Sequence, residues 1–266
     1  MATRVGSRAA DLPFAWDRQA SWLPALHGAG AVYLSYYPDL AAPGAAEAVR
    51  AFTGQAVDAG VGRLVLLSGR GEEQAELAER AVRQVGVDWT IVRCPWFNQN
   101  FSENYLLEPI LAGEVVLPAG RVAEPFVDAD DIADVAAAAL TGDGHAGQLY
   151  ELTGPRLLGF GEAVAEIAEA AGREIRYVPV SPQEYASMLA AQDVPAEVVS
   201  LLSYLFSEVL DGRNAHRGDG VQRALGREPR DFRDYARAAG ASGIWNLAPG
   251  LRPRVTGHGP TSRARR

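Results

Sequence analysis

The chain has 266 residues, 48% of them hydrophobic, and carries a formal net charge of −8, so it can bury a large core as one α/β domain or a domain with an appendage. All 25 basic residues are arginines, which excludes a Walker-type phosphate loop, a Schiff-base lysine and a Tyr-x-x-x-Lys dyad. The single cysteine excludes an intramolecular disulfide, and the four histidines lack the H-E-x-x-H spacing of a metal site.

Short apolar runs alternate with helical patterns through the first 155 residues. The predicted elements are a strand from about residue 3, a strand at 31–35, a helix at 43–59, a strand at 63–68, a helix at 72–85, a strand at 89–93, a helix at 130–140 and a strand at 148–153. This alternation is typical of parallel βαβ units, and the strands lack the in/out pattern of a half-exposed sheet. We therefore predict a Rossmann-like dinucleotide-binding domain over residues 1–155.

The pattern of predicted elements changes after Pro155. A helix at 160–171, a short strand at 175–179 and several further helices predict a smaller, mostly helical substrate or cap region over 156–246. The last residues, 247–266, are rich in Pro, Gly, Ser, Thr and Arg and have little apolar content, so we expect a disordered Arg-rich tail. A nucleic-acid-binding arm is the alternative for this tail.

Charge and hydropathy bear on partners and location. Five of the arginines lie in the last fifteen residues, which leaves the rest of the chain more acidic than the total suggests and favours repulsion of nucleic acid. No apolar run approaches the roughly 18 residues of a membrane span, and the first residues lack a signal-peptide core. We predict a cytoplasmic protein with a small-molecule substrate and no nucleic-acid or membrane partner; oligomeric state is not indicated.

A literal G-x-G-x-x-G occurs at 142–147, where a dinucleotide site would be inferred from the pattern alone. In that fingerprint a strand delivers the glycine turn to a helix N-terminus, whose free N–H groups face the pyrophosphate. Here the glycines follow a predicted helix and precede a strand, so a surface loop is the better interpretation.

Candidate ligand contacts follow three of the predicted strands. Open α/β sheets bind ligands at the carboxyl ends of their strands, which is where Ser35-Tyr36, Ser68-Gly69 and Pro95-Trp96-Phe97-Asn98 fall. Tyr36 suits a stacking or lining role; proton donation by its phenol or that of Tyr37 is the alternative, without a lysine to lower its pKa. For Ser68 and Gly69, an ordinary strand-to-helix turn remains the alternative. For 95–98, the alternative to the wall of a flat-ring site is an aromatic plug under the cap.

Two further groups have competing explanations. Ser7 and Arg8 end the first predicted strand, where an arginine can pair with the 2′-phosphate of NADP, or they are ordinary exposed residues. The Asp128-Ala-Asp-Asp131 run could be a catalytic carboxylate pair, but a helix N-cap with acids in the first turn explains it better. We interpret Cys94 as a small buried hydrophobic residue and not as a nucleophile.

Four stretches together resemble the NmrA-like branch of the atypical short-chain dehydrogenase/reductases. They are Leu-Leu-Ser-Gly ending at Gly69, the run from Thr90 to Phe101 with its Arg-x-Pro-x-Phe core, Phe-Val-Asp-Ala-Asp-Asp-Ile-Ala starting at Phe126, and Tyr-Glu-Leu-Thr-Gly-Pro starting at Tyr150. The second run is most similar to members near the NAD(P)H-dependent azo-dye reductases and the ergot-alkaloid-type reductases. The resemblance covers roughly residues 3–240.

The resemblance implies a seven-stranded Rossmann sheet and an NADP(H) or NAD(H) cofactor. By position, Ser7 and Arg8 correspond to contacts of the 2′-phosphate, which predicts a preference for NADPH. Ser35 and Tyr36 would run along the cofactor, and Ser68 with Gly69 would approach the nicotinamide ribose. The segment Pro95, Trp96, Phe97 and Asn98 would lie over the nicotinamide. The implied activity is hydride transfer to a small electrophilic organic substrate.

The sequence departs from the family pattern in two ways. It has no lysine, so it resembles the lysine-free members, some of which bind a cofactor without known catalysis; a non-catalytic redox sensor is therefore the alternative function. It also opens on the segment that corresponds to strand two, so the first βα unit with strand one, the glycine loop and helix one is missing. We expect the initiation site to lie upstream; a truncated chain with impaired cofactor binding is the remaining alternative.

Overall fold

The computed structural model describes residues 2–4 and 12–246, and the predictions for Ser7, Arg8 and the tail at 247–266 lie outside these described residues. The strands are β1 (Ala2–Arg4), β2 (Leu12–Phe14), β3 (Ala31–Leu34), β4 (Arg63–Gly69), β5 (Asp88–Cys94), β6 (Glu114–Leu117), β7 (Ala123–Glu124), β8 (Gln148–Glu151), β9 (Leu158–Gly159) and β10 (Arg176–Pro179).

The α-helices are α1 (Trp22–Leu26), α2 (Ala45–Asp58), α3 (Glu73–Arg83), α4 (Asn100–Glu103), α5 (Leu107–Ala112), α6 (Ala129–Thr141), α7 (Phe160–Ala171), α8 (Pro182–Ala191), α9 (Ala196–Tyr204), α10 (Gly220–Leu225) and α11 (Phe232–Ser242). A 3-10 turn at Gln19–Ser21 precedes α1, and a π-helical turn at Leu205–Val209 continues α9.

The central sheet has four parallel strands in the order β3-β4-β5-β8. Its register creates a step at the carboxyl edge. Leu34, the last residue of β3, lies opposite Leu66, whereas β4 continues to Gly69, which lies opposite Cys94 of β5. The chain that leaves β3 therefore runs beside the exposed ends of β4 and β5, and this step leaves room for a ligand there.

Both faces of the sheet are buried, as the lack of alternation in its strands predicts. Leu64 and Leu66 pack with α2 and α3 on one face, while Val65 and Val92 pack with α6 and α10 on the other. A third cluster of aromatic side chains surrounds Phe101 and joins α4 and α5 to the C-terminal helices. The sheet is thus a rigid support for whatever lies at its edge.

Strands β1 and β2 pair in parallel with each other and form a separate two-stranded sheet. A cleft of about 740 Å³ separates β2 from β3 and is lined by Phe14 and Trp16 on one side and by Val32 and Leu34 on the other. Within the described residues no strand fills this space.

Residues after the sheet contribute β9, β10 and helices α7 to α11. Strand β10 pairs with β6 and β9 with β7, so this region is tied to the chain that follows β5. The helix predicted at 160–171 has these bounds in the structure. Gly159 is its N-cap, and Gly172, which adopts a left-handed conformation, is its C-cap. The division of the chain into domains at residue 155 stays a prediction.

The glycine-rich stretch at 142–147 connects α6 to β8 and is mostly exposed, which confirms the surface-loop interpretation. The N-cap interpretation of Asp128 is also confirmed, because its carboxylate accepts a hydrogen bond from the backbone N–H of Asp130 at 2.9 Å. Asp131 is fully buried and pairs with Arg227 and Arg230. These carboxylates hold α6 in place.

Candidate functional site

A cavity of about 310 Å³ lies at the carboxyl edge of β3, β4 and β5. Three segments of the sheet edge line it, namely Ser35 and Tyr36 after β3, Ser68 and Gly69 at the end of β4, and Pro95, Trp96 and Phe97 after β5. The C-terminal region closes the opposite side with Leu205, Val209 and Asn214. The structure therefore brings seven of the ten predicted site residues around one cavity.

The turn after β5 is fixed by backbone hydrogen bonds to the chain before α6. The Val127 N–H donates to the Trp96 carbonyl at 3.0 Å, and the Asn98 N–H donates to the Val127 carbonyl at 2.8 Å. Trp96 packs against Phe206 and Phe160, with ring centroids 4.8 and 5.4 Å away. Trp96 thus belongs both to the aromatic contact under the C-terminal helices and to the cavity wall, so the two interpretations of 95–98 both describe it.

Tyr36 is half-buried on the opposite wall. Its ring lies 4.9 Å from that of Trp16, whose indole N–H donates to the Ser35 carbonyl at 3.2 Å. Burial, with a smaller contribution from Asp17, raises the pKa of the Tyr36 phenol above its ordinary value. The phenol is therefore neutral at pH 7, and its ring is available as an aromatic surface.

Two predicted contacts lie differently from the expectation. The Ser68 hydroxyl donates to Oε1 of Glu79 at 2.7 Å, away from the cavity, so its side chain is used within the fold. Asn98 is fully buried and outside the set of cavity-lining residues. Its amide nitrogen donates to Asp128 at 3.2 Å. Both residues shape the cavity through backbone position, and their assignment as cofactor contacts stays a prediction.

Arg70, which directly follows β4, joins the sheet edge to the C-terminal region. Its buried guanidinium donates to the carbonyls of Asn214 at 3.3 Å and His216 at 2.8 Å. In return the Asn214 side chain donates to the Arg70 carbonyl at 2.9 Å. These reciprocal bonds hold the loop around Asn214 against the cavity.

Sequence reasoning missed several polar residues of the cavity wall, among them the ionisable Asp39, Glu72 and Tyr105. A signal exists for Glu72, since an acid directly after the Ser-Gly-Arg-Gly turn of a buried strand falls at the ligand edge. Asp39 and Tyr105 lie in irregular segments whose approach to the cavity depends on tertiary packing. Cys94 is a free, buried thiol whose pKa is raised well above its ordinary value by burial, which agrees with a structural role.

The described residues contain no cluster of three or more His, Cys, Asp or Glu side chains arranged to hold a metal ion. In this same part of the chain, none of the helices has the length and apolar character needed to cross a membrane.

No family model matches the chain. Two similar proteins indicate its relationships. Uncharacterized oxidoreductase YesF of Bacillus subtilis (strain 168) is 31% identical over 234 residues, which are 86% of this chain and 80% of the relative. NAD(P)H azoreductase of Xenophilus azovorans is 32% identical over 164 residues, which are 62% of this chain and 57% of that protein.

Among solved structures, the NADPH complex of the NADPH-dependent quinone oxidoreductase QOR2 from Escherichia coli superposes with a TM-score of 0.72 at 20% identity. The match covers 85% of this chain and 82% of that one, and it confirms the predicted α/β Rossmann-like fold. The relatives confirm the predicted oxidoreductase class. The azoreductase is named for NAD(P)H, and the QOR2 structure contains NADPH, the cofactor that the sequence predicts for this chain. The chain belongs to the NmrA-like branch of the atypical short-chain dehydrogenase/reductases, whose members are NAD(P)-dependent reductases.

Proposed function

We propose that the protein is an NADPH-dependent reductase that transfers hydride to a small, flat, uncharged electrophile in the cavity at the sheet edge. The observation that supports it most directly is the composition of this cavity. Aromatic rings from two different strand ends, Tyr36 and Trp96, meet apolar side chains from the C-terminal region, Leu205 and Val209, at the place where α/β sheets bind ligands.

The residues present fit the nicotinamide end of the cofactor. A carboxamide-bearing flat ring needs an aromatic or apolar wall and a few polar groups at its rim, and Trp96, Phe97 and Pro95 supply such a wall. Gly69 has no side chain, so the backbone at the end of β4 is open to close approach. When bound, the cofactor supplies a hydride from C4 of its nicotinamide.

The chain's own contribution is positioning and exclusion of water. Trp96 is fixed by the backbone bonds around it and by its contacts with Phe160 and Phe206, so it presents one face in a defined orientation. The Asn214 loop closes the cavity from above through its bonds to Arg70. Nη1 of Arg70 donates to carbonyl groups, and its Nη2 lies 3.4 Å from Oε2 of Glu151, so the charge of Arg70 is already paired with a carboxylate, which favours an uncharged substrate.

The names of the relatives suggest suitable probes, since one is an azoreductase and one structural neighbour is a quinone oxidoreductase. Titration with NADPH, followed by cofactor fluorescence, and NADPH consumption with a panel of quinones, azo dyes and imines test the proposal. We expect saturable binding and turnover with at least one class. Binding without turnover supports the non-catalytic sensor instead, and absence of binding contradicts both.

Trp96→Leu provides the residue-level test of this site. Loss of one well-oriented aromatic contact is worth about 0.5 to 1.5 kcal/mol, so we expect the Kd for NADPH or the KM for an aromatic substrate to rise up to about tenfold. Trp89→Leu is the matched control, because Trp89 packs beside Arg83 outside the cavity. An equal effect of both variants would argue against the assignment.

Two finer predictions from the sequence concern the cofactor preference and the cellular location. A preference for NADPH over NADH is proposed on the position of Arg8, and the cytoplasmic location stays a prediction. A small-molecule substrate agrees with the small-molecule substrates named for the azoreductase and quinone oxidoreductase.

A further inference from the structure

Two carboxyl side chains, Asp39 and Glu72, meet in the wall of the cavity. Asp39 lies in the chain that leaves β3, and Glu72 directly precedes α3. Both line the cavity together with Tyr36 and Trp96. Neither belongs to an ion pair among the described residues, so the pair has no neighbouring cation to hold two negative charges.

Glu72 is the more deeply placed of the two. Its side chain is 9% exposed, and its Oε2 receives no hydrogen bond from any N–H or O–H group that the structure describes. Its carboxyl group occupies the space above Gly69, where a Cβ atom would overlap it. The glycine at the end of β4 therefore makes room for a carboxyl group that points into the cavity.

The contact between Glu72 and Asp39 requires a proton. Two carboxylates cannot hydrogen-bond to each other, whereas a carboxylic acid can donate to a carboxylate. Burial raises the pKa of Asp39 as well, although a backbone hydrogen bond from Ala41 at 2.8 Å partly offsets this by favouring its ionised form. Burial, followed by the charge of Asp39 and the hydrogen bond to it, raises the pKa of Glu72 well above its ordinary value. Glu72 is thus the side chain that carries the shared proton.

The other polar groups around the pair do not neutralise it. The Tyr105 hydroxyl is buried, lines the same cavity and has no partner in the described part of the chain. The Cys94 thiol and the Tyr204 phenol face Glu72, and burial raises the pKa of each. Two arginines at this edge of the sheet have other partners: Arg70 bonds to the Asn214 loop and lies 3.4 Å from Glu151, and Arg213 pairs with Asp211.

We propose that Glu72, protonated and hydrogen-bonded to Asp39, is the general acid of this active site and delivers its proton to the substrate as hydride arrives. This inference rests on the proposed reductase function. It gives this chain, which has no lysine and no Tyr-x-x-x-Lys dyad, a carboxylic acid proton donor in the cavity wall.

The step balances as follows. Hydride brings two electrons and forms the new C–H bond at the electrophilic carbon of a C=O or C=N group. The π electron pair of that bond moves to the heteroatom, which takes the proton from the Glu72 carboxyl oxygen. The Glu72–Asp39 pair is left one proton poorer and regains it from water before the next turnover.

The protonation of Glu72 is tested on the protein without cofactor. Infrared difference spectra between wild type and Glu72→Gln at pH 7 should contain the carbonyl band of a protonated carboxylic acid, which the variant lacks. Asp39→Asn is the second variant: it removes the neighbouring charge, so the band should disappear at lower pH than in wild type. Absence of such a band in the wild-type difference spectrum overturns the proposal.

The role in turnover is tested with the same variants. General acid catalysis contributes about 10²- to 10⁴-fold, so Glu72→Gln should lower kcat by about that factor and leave the Kd for NADPH unchanged within about twofold. Glu73→Gln is the matched control: it makes the same Glu-to-Gln substitution at the next position, with an exposed side chain outside the cavity wall. Unchanged kcat in Glu72→Gln overturns the proposal.

Failure of the proposed function gives a different pattern. If wild type binds no NADPH or reduces no probe, the reductase assignment and the acid role both fall, while the infrared band still reports whether the carboxyl pair holds a proton. If wild type turns over and the band is absent, the reductase assignment stands and the Glu72 proposal alone fails.

Discussion

The Arg93 guanidinium and the Glu79 carboxylate form a buried ion pair between β5 and α3, with Nε 2.8 Å from Oε1. Glu79 is 2% exposed and also accepts the Ser68 hydroxyl, so one carboxylate ties the ends of β4 and β5 to the same helix. Arg93 reaches Glu151 of β8 as well, at 3.1 Å. The hydrogen bonds to Glu79, ahead of the other interactions, raise the pKa of Arg93.

Glu79→Gln is expected to lower the free energy of unfolding by about 2 to 4 kcal/mol, because it leaves the partly buried Arg93 charge with Glu151 as its remaining partner. Urea denaturation at pH 7 measures the effect. Glu76→Gln on the same helix is the control, since its pair with Arg80 is half-exposed and 4.0 Å long, and it should change stability by less than about 1 kcal/mol. Equal losses in the two variants would contradict the prediction.

Gly69→Ala is expected to displace the Glu72 carboxyl group, because the added Cβ would overlap it. We expect a stability loss of about 1 to 3 kcal/mol from overpacking and a fall in kcat as Glu72 moves. Thermal unfolding and NADPH consumption measure the two effects. Gly54→Ala is the control: that glycine lies within α2 with open space around it, and alanine should stabilise the helix by about 0.5 to 1 kcal/mol. Full activity in Gly69→Ala would count against the placement of Glu72.

Glu124 makes stability depend on pH. It is fully buried, its two carboxyl oxygens have no hydrogen-bond partner within the described residues, and burial raises its pKa to about 7 from an ordinary 4.5, despite an opposing effect of Arg70. Between these values the folded state binds more protons than the unfolded state, so the contribution to the free energy of unfolding falls as pH rises. The full loss is about 3 kcal/mol and is complete above pH 7.

Glu124→Gln should remove this dependence. We expect the difference in stability between variant and wild type to move in favour of the variant by about 2 to 3 kcal/mol between pH 5 and pH 8. Urea denaturation at both pH values measures it. Glu169→Gln, at an exposed position on α7, should show no such drift. A constant difference for Glu124→Gln would show that this carboxyl is ionised throughout.

Arg8→Ala tests the cofactor preference that the family resemblance implies. A charge-assisted contact with the 2′-phosphate is worth about 1.5 to 3 kcal/mol, so the Kd for NADPH should rise about 10- to 100-fold while that for NADH stays the same. Equilibrium titration with both cofactors measures the ratio. Arg18→Ala, which removes an exposed arginine, controls for the loss of charge. An unchanged ratio in Arg8→Ala would remove the basis for NADPH preference.

The parts of the fold that the sequence predicts well have strong local signals. The segment 63–68 is a nearly continuous apolar run, and the structure has β4 there. The segment 160–171 is followed by a glycine that ends a helix, and the structure has α7 there. The short strands β2 and β6 were missed. Each has only three or four residues, and each is a strand because it pairs with another segment, β2 with β1 and β6 with the distant β10, which a local pattern does not contain.

The candidate site divides in the same way. Position at the end of a parallel strand is readable from the sequence, so Ser35, Gly69 and Trp96 reach the cavity as predicted. Side-chain direction is not readable: Ser68 turns to Glu79, and Asn98 turns to Asp128. The approach of Asp39 to Glu72 depends on how the loop after β3 folds over the end of β4. No sequence period encodes that approach.

The exchange of hydrogen bonds between Arg70 and Asn214 has a consequence for how a ligand enters. Because the Asn214 loop is fastened to the sheet edge by both partners, it behaves as a fixed rim and not as a lid. We therefore expect a ligand to enter the cavity past the exposed chain after β3, around Ser35 and Pro38, on the side that faces the cleft beside β2. The entrance to the cavity and its base are thus formed at the ends of neighbouring strands, while the Asn214 loop on the opposite side stays in place.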